Sequence, residues 1–115
     1  MTLKELQELE DKGKRVFEVL ESVAQEFKNK TNLPIDVKKD LNLFGSGKPC
    51  FWINHNNKEI FYFRNVLMNP RQPSPIFMKI DSENEKELLE LINKSKEKIE
   101  FAQGLKVNYH LEKEV

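Results

Sequence analysis

A single cysteine, Cys50, in a chain of 115 residues rules out an internal disulfide. No stretch approaches the roughly 18 apolar residues needed to cross a bilayer, so no membrane partner is expected. No apolar run opens the chain either, since Lys4, Glu5, Glu8, Glu10, Asp11, Lys12, Lys14 and Arg15 crowd its first fifteen positions. Together these absences point to a soluble protein of a reducing, cytoplasmic compartment. Net charge is also missing, with 19 basic and 19 acidic side chains, so the strong basic excess of most nucleic-acid-binding domains is absent.

What is present is enough for a packed core. Eight Phe, two Tyr and one Trp supply the bulky apolar groups that disordered chains lack, although 33% of residues are charged. The length suits one domain spanning residues 1–115.

Leu3, Leu6, Leu9, Gly13, Val16, Leu20, Val23 and Phe27 recur at steps of three and four, with Phe17 and Ala24 widening the stripe. This spacing predicts a long amphipathic helix opened by a capping box between Thr2 and Glu5. Gly13 costs about 1 kcal/mol relative to Ala inside a helix, so residues 14–30 are expected to form its body and residues 1–13 an extended or frayed start.

From Leu33 the period becomes two, which predicts a half-exposed strand with Ile35, Val37, Leu41 and Leu43 inward and Lys39 at a bulge or strand end. Gly45 to Pro49 then reads as a turn. Two aromatic-rich runs, Cys50 to Asn54 and Glu59 to Arg64, flank Asn56-Asn57 and predict a β-hairpin, because Asn tolerates the positive φ of a primed turn. With Asn56-Asn57 as the loop, Ile53 falls opposite Ile60, Phe51 opposite Tyr62, Trp52 opposite Phe61 and Cys50 opposite Phe63. Both hairpin faces are then apolar, which requires either cover on both sides or one covered face and one binding face.

Residues 65–75 hold Pro70, Pro73 and Pro75 and read as an ordered, proline-rich loop. A strand over Ile76 to Ile80 follows, then a capping box of Ser82 with Glu85. Leu88, Leu91, Ile92, Ser95, Ile99 and Ala102 form one helical stripe ended by Gly104. Leu105, Val107, Tyr109 and Leu111 alternate with polar residues as a last strand, expected beside a strand that is not its neighbour in sequence. The order is α-β-β-β-β-α-β, an α+β fold with a mostly antiparallel sheet and two helices on one face.

Tests for chemistry fail on specific residues. The same element order occurs in the restriction-endonuclease-like core, but the hairpin carries only Glu59 and no lysine two residues after it, so the metal-binding acidic pair and its lysine are missing. Gly45-Ser46-Gly47-Lys48 lacks the first glycine and the Ser or Thr of a phosphate loop, and a strand follows it. Cys50 with His55 or His110 is the only nucleophile and base pairing the chain offers, and His55 lies about 15 Å along the same strand at ~3.3 Å per residue. Two His and one Cys, widely separated, have no metal-ligand spacing. The sequons at Asn29 and Asn93 fall in helical stretches. No catalytic residue, cofactor or metal is assigned.

Two binding readings remain. In the leading one the chain is a non-enzymatic adaptor acting through protein contacts, as a homodimer or with another protein, with Leu6 and Leu9 on the first helix and Met68 and Phe77 around the proline loop as contact residues. The alternative is nucleic-acid binding. Residues 35–80 carry seven basic and three acidic groups, against six and seven in residues 1–34 and six and nine in residues 81–115. Trp52 and Phe61 would stack on bases while Lys48, Lys58, Arg64 and Arg71 follow the phosphates.

Overall fold

The computed structural model describes residues 2–41, 49–65 and 74–112, together with the backbone of Ser74 and Glu112. Its elements are α1 (Leu3–Thr31), β1 (Asp36–Asp40), β2 (Cys50–His55), β3 (Lys58–Asn65), β4 (Ser74–Ile80), α2 (Glu85–Lys94), α3 (Lys96–Gln103) and β5 (Val107–Glu112). The strands form one sheet in the order β1-β2-β3-β4-β5, antiparallel through β4. β5 runs parallel to β4. The α+β class therefore stands, with three helices among the described residues in place of two.

α1 runs unbroken through Gly13, and residues 3–12 are helix rather than a frayed start. At about 1.5 Å per residue its 29 residues span the molecule's 43 Å long axis. Thr2 Oγ1 accepts the Glu5 amide at 3.2 Å, and Asn32 closes the other end at φ 58°. The glycine has a packing reason: a Cβ there would lie 2.6 Å from Leu41 Cδ2, so its absence lets the leucine sit against the helix. Val16, Phe17, Leu20, Val23, Ala24 and Phe27 are buried, the stripe that the spacing predicts.

The first strand is shorter and wetter than its pattern implies. β1 is exposed along its whole length, and Val37 is 40% accessible, because it forms an edge of the sheet. Lys39 is neither bulge nor end: it pairs with Phe51 in register and reaches Glu21 on α1 as an ion pair.

In the hairpin, Asn56 and Asn57 adopt φ of 53° and 62°, as a two-residue primed turn demands. A bulge then changes the register. Ile60 is an extra residue between the pairs Ile53 with Phe61 and Asn54 with Glu59. Phe51 thus lies opposite Phe63, and Trp52 opposite Tyr62, one residue away from the unbulged expectation. Phe51, Ile53, Phe61, Phe63, Ile76 and Met78 line one face and are at most 2% accessible, packed with the helices in one apolar core.

The expected Ser82 capping box does not form. α2 starts at Glu85 with no side-chain cap, because Asp81 Oδ1 accepts the Glu83 amide at 3.0 Å and folds Ser82–Asn84 into a turn. The single predicted helix is two. At Ser95 the amide is shared between the Leu91 and Ile92 carbonyls, and the chain bends. This bend lets α2 pack on α1 while α3 packs on both α1 and β5. Gly104 ends α3 at φ 74°. β5 then enters beside β4, its neighbour in sequence, since a helical crossover returns the chain to the same edge in the same direction. No helix among the described residues is long and apolar enough to cross a membrane.

Candidate functional site on the open sheet face

In a strand successive side chains alternate between faces, so residues directly opposite each other share one. The register therefore assigns the second face of the sheet. One row across it runs Lys38, Trp52, Tyr62 and Lys79, and the next runs Asp40, Cys50, Arg64, Phe77 and His110. None of the helices lies on this side, since the core they form with the sheet takes only the alternate residues.

Two ring assemblies occupy its centre. Trp52 and Tyr62 pack with centroids 5.6 Å apart and planes tilted by 40°. Beside them Arg64 Cζ lies 4.7 Å from the Phe77 centroid, and His110 stacks on Phe77 at 5.1 Å and 23°. Trp52, Tyr62, Arg64 and Phe77 are half-buried and His110 is exposed. The Arg64 guanidinium rests on Phe77 with no carboxylate partner among the described residues, and its Nε is buried without an acceptor. Lys38, Trp52, Asn54 and Glu59 line a shallow depression of about 330 Å³ at one side. Charge is mixed at the margins: Lys38 and Lys79 stand in the rows, and Asp36 and Asp40 flank Lys38 on β1.

The sequence-derived candidates divide accordingly. Phe77, a protein-contact residue, joins Trp52 and Arg64 from the nucleic-acid set on this one face. Phe61 does not: it is fully buried on the opposite face, because the bulge moves it across from Ile53, and no ligand reaches its ring. Lys58 sits at the hairpin end, 2.8 Å from Asp81 in an ion pair. Leu6 and Leu9 are half-buried on the α1 segment before the core stripe begins at Gly13. Met68, Arg71 and Lys48, with the glycine turn and most of the proline loop, lie outside the described residues.

Cys50 and His110 share a row but are separated by three strand spacings, about 14 Å, which is beyond hydrogen-bond reach. The Cys50 thiol is buried 3.5 Å from the Tyr62 hydroxyl, and His55 Nδ1 lies 2.7 Å from the Pro34 carbonyl oxygen.

Sequence reasoning missed Tyr62, His110, Lys38 and Lys79, which only the bulged register and the parallel β5 bring together. It also missed Phe101, which is 92% accessible on α3. A signal for it exists: Phe101 is two residues after Ile99, about 200° round the helix from the buried stripe.

Comparisons with protein-family models, curated proteins and solved structures return no match.

Proposed function

We propose that this chain is a non-enzymatic protein-contact domain whose contact surface is the open sheet face centred on Trp52, Tyr62, Arg64 and Phe77. The observation that carries this reading is a sheet face that no helix covers among the described residues, with rings and a guanidinium at its centre and charges of both signs at its margins. Trp, Tyr, Phe and Arg are the residues enriched at the centres of protein interfaces, where Lys, Asp and Glu are depleted. A guanidinium over a ring, with no carboxylate partner among the described residues, is ready for a carboxylate or carbonyl of the partner. A single buried cysteine suits a cytoplasmic setting.

The test is affinity capture from cells that express the chain, comparing the parent with a Trp52→Ala, Phe77→Ala double variant. A defined protein enriched by the parent and lost by the variant is expected. Identical capture by both would overturn the reading.

Single-stranded nucleic acid is the second reading, favoured by the same Trp52, Tyr62 and Arg64 with Lys38 and Lys79 beside them. Asp36 and Asp40 on that face, and Phe61 and Lys58 occupied elsewhere, weigh against it. Light-scattering mass with a mixed DNA and RNA pool at low and physiological salt separates the two. A salt-dependent complex abolished by Trp52→Ala would replace the protein-contact reading.

A further inference from the structure

β1 lies at one end of the strand order, so its outer side has no strand beside it among the described residues. The backbone N–H and C=O groups on such an edge are matched in full only by another extended chain, which makes the edge selective for a strand. All five residues, Asp36 to Asp40, are exposed. Val37, 40% accessible, is one of three large apolar side chains exposed among the described residues. The charges of β1 divide. Lys39 is drawn to Glu21 on α1, whereas Asp36 and Lys38, side by side on the open sheet face, form no ion pair among the described residues.

We infer that β1 pairs antiparallel with β1 of a second copy of the same chain, about a two-fold axis at Val37. Backbone groups point alternately to the two sides of a strand, so an outward residue must meet an outward residue. A two-fold antiparallel pairing that obeys this has one residue facing its own copy at the centre. Asp36, Lys38, Lys39 and Asp40 are all charged, so each of them as centre would face a like charge. Val37 is the exception. With Val37 against Val37, Asp36 of each copy falls opposite Lys38 of the other, and the two unpaired charges of the edge become two opposite-charge pairs. Lysines on an edge ordinarily deter pairing, but here Lys38 meets an acid and Lys39 is already held by Glu21. The strand is thus complementary to itself in one register, which selects a second copy over an unrelated strand. The same alternation keeps both open faces on one side, so Trp52 and Tyr62 of the two copies share one continuous surface. The inference does not rest on the protein-contact reading of that surface.

The experiment is sedimentation equilibrium of the full chain from micromolar to near-millimolar concentration, for the parent, Lys38→Glu, Asp36→Lys and an equimolar mixture of the two variants. The parent mass should climb from 13.6 kDa toward twice that value, and only as concentration rises, since a five-residue edge is a small contact. Either variant alone turns both cross-strand pairs into like charges and should weaken association about tenfold. In the mixture each mixed dimer regains two opposite-charge pairs, so association should return to the parental level. That recovery is specific to the Val37 centre, because no other centre sets positions 36 and 38 opposite each other. Both side chains are exposed, so circular dichroism and melting temperature should match the parent in each variant. The Trp52→Ala, Phe77→Ala variant should dimerise like the parent, so the open-face reading and this one can fail separately. A parent that stays at one chain mass throughout would overturn the inference. So would a dimer that both charge variants leave intact, or one that the mixture does not restore.

Discussion

The two faces of this sheet are built from the same strands and nearly the same number of aromatic rings, on positions that alternate except at the Ile60 bulge, yet they have opposite chemistry. The helix-covered face holds Phe51, Phe61 and Phe63 with Ile53, Ile76 and Met78, all hydrocarbon or thioether. The open face holds Trp52, Tyr62 and His110, rings with a polar handle that tolerate water at one edge. Phe77 on the open face and Tyr109 on the covered one are exceptions, and the neighbours of Phe77 explain it: Arg64 covers it from one side and His110 from the other. Aromatic content alone therefore does not mark a core. What separates the faces, Phe77 and Tyr109 apart, is whether each ring carries a group that water can satisfy.

The contrast is broken most forcefully by truncating one ring on each face. Phe61→Ala should cost about 3–5 kcal/mol, because a fully buried ring leaves a cavity. Trp52→Ala should cost about 1 kcal/mol or less, the scale of a cross-strand pair on a wet face. Urea unfolding of the two variants measures both. Comparable losses would mean that the open face is a second core under cover, and that its rings are structural.

Tyr109 gives the next largest effect. Its ring packs against the covered core, and its hydroxyl is buried with no hydrogen-bond partner among the described residues. Burial, reinforced by the nearby Glu100 carboxylate, pushes its ionisation well above the ordinary phenol value. Tyr109→Phe should therefore stabilise the fold by about 1 kcal/mol, by removing a desolvated hydroxyl that water satisfies in the unfolded chain. The pH dependence has a definite sign. A raised value in the folded state means that the parent holds its full stability below the ordinary phenol value of about 10 and loses it as pH rises beyond that. The variant should lack that alkaline decline, as thermal melts between neutral pH and pH 11 would show.

Arg64 on the opposite face should respond in the reverse way, with little change in stability and a large change in binding. Arg64→Leu forfeits a cation–π contact of about 0.5–1 kcal/mol but also removes a buried Nε that lacks an acceptor among the described residues. Melting should stay within about 1 kcal/mol of the parent, and capture of the partner protein should be lost. A strong destabilisation would show that the guanidinium serves the sheet and not a partner.

The elements that local pattern determines were readable in the sequence: the α1 stripe, the Asn56-Asn57 turn, β4 and the Gly104 stop. The remainder was set by tertiary contacts. The hairpin bulge depends on Ile60 being drawn into the core while its carbonyl accepts the Asp81 amide, a partner 21 positions away. Gly13 reads as a helix weakness until Leu41 is seen against it. The bend at Ser95 answers to two separate packing demands, α1 for α2 and β5 in addition for α3. At the candidate site, Trp52 and Arg64 could be named as types of residue, but their face could not, because one inserted residue exchanges the two faces of the hairpin beyond the bulge. Phe77 and Trp52 entered as members of rival sets, and only the strand register makes them neighbours.

The smallest effect belongs to the seam between the hairpin and the helical layer, where Asp81 meets Lys58. Its Oδ2 lies 2.8 Å from the Lys58 ammonium, and Oδ1 accepts the Glu83 amide. The bond from Lys58, followed by that from the Glu83 backbone, holds the carboxyl below the usual carboxylate range. A depressed value in the folded state stabilises the protein above the unfolded carboxyl's pKa of about 3.9, and that contribution disappears as pH falls through the folded value. The parent should therefore lose stability relative to Asp81→Asn only below about pH 4, with the two curves parallel at higher pH. Lys58→Gln should reproduce most of the effect, since the exposed lysine is the first cause of the shift. If Lys58→Gln instead altered partner or oligonucleotide binding with the acid limb unchanged, the hairpin end would belong to the open face's contact surface and not to the fastening of the covered one.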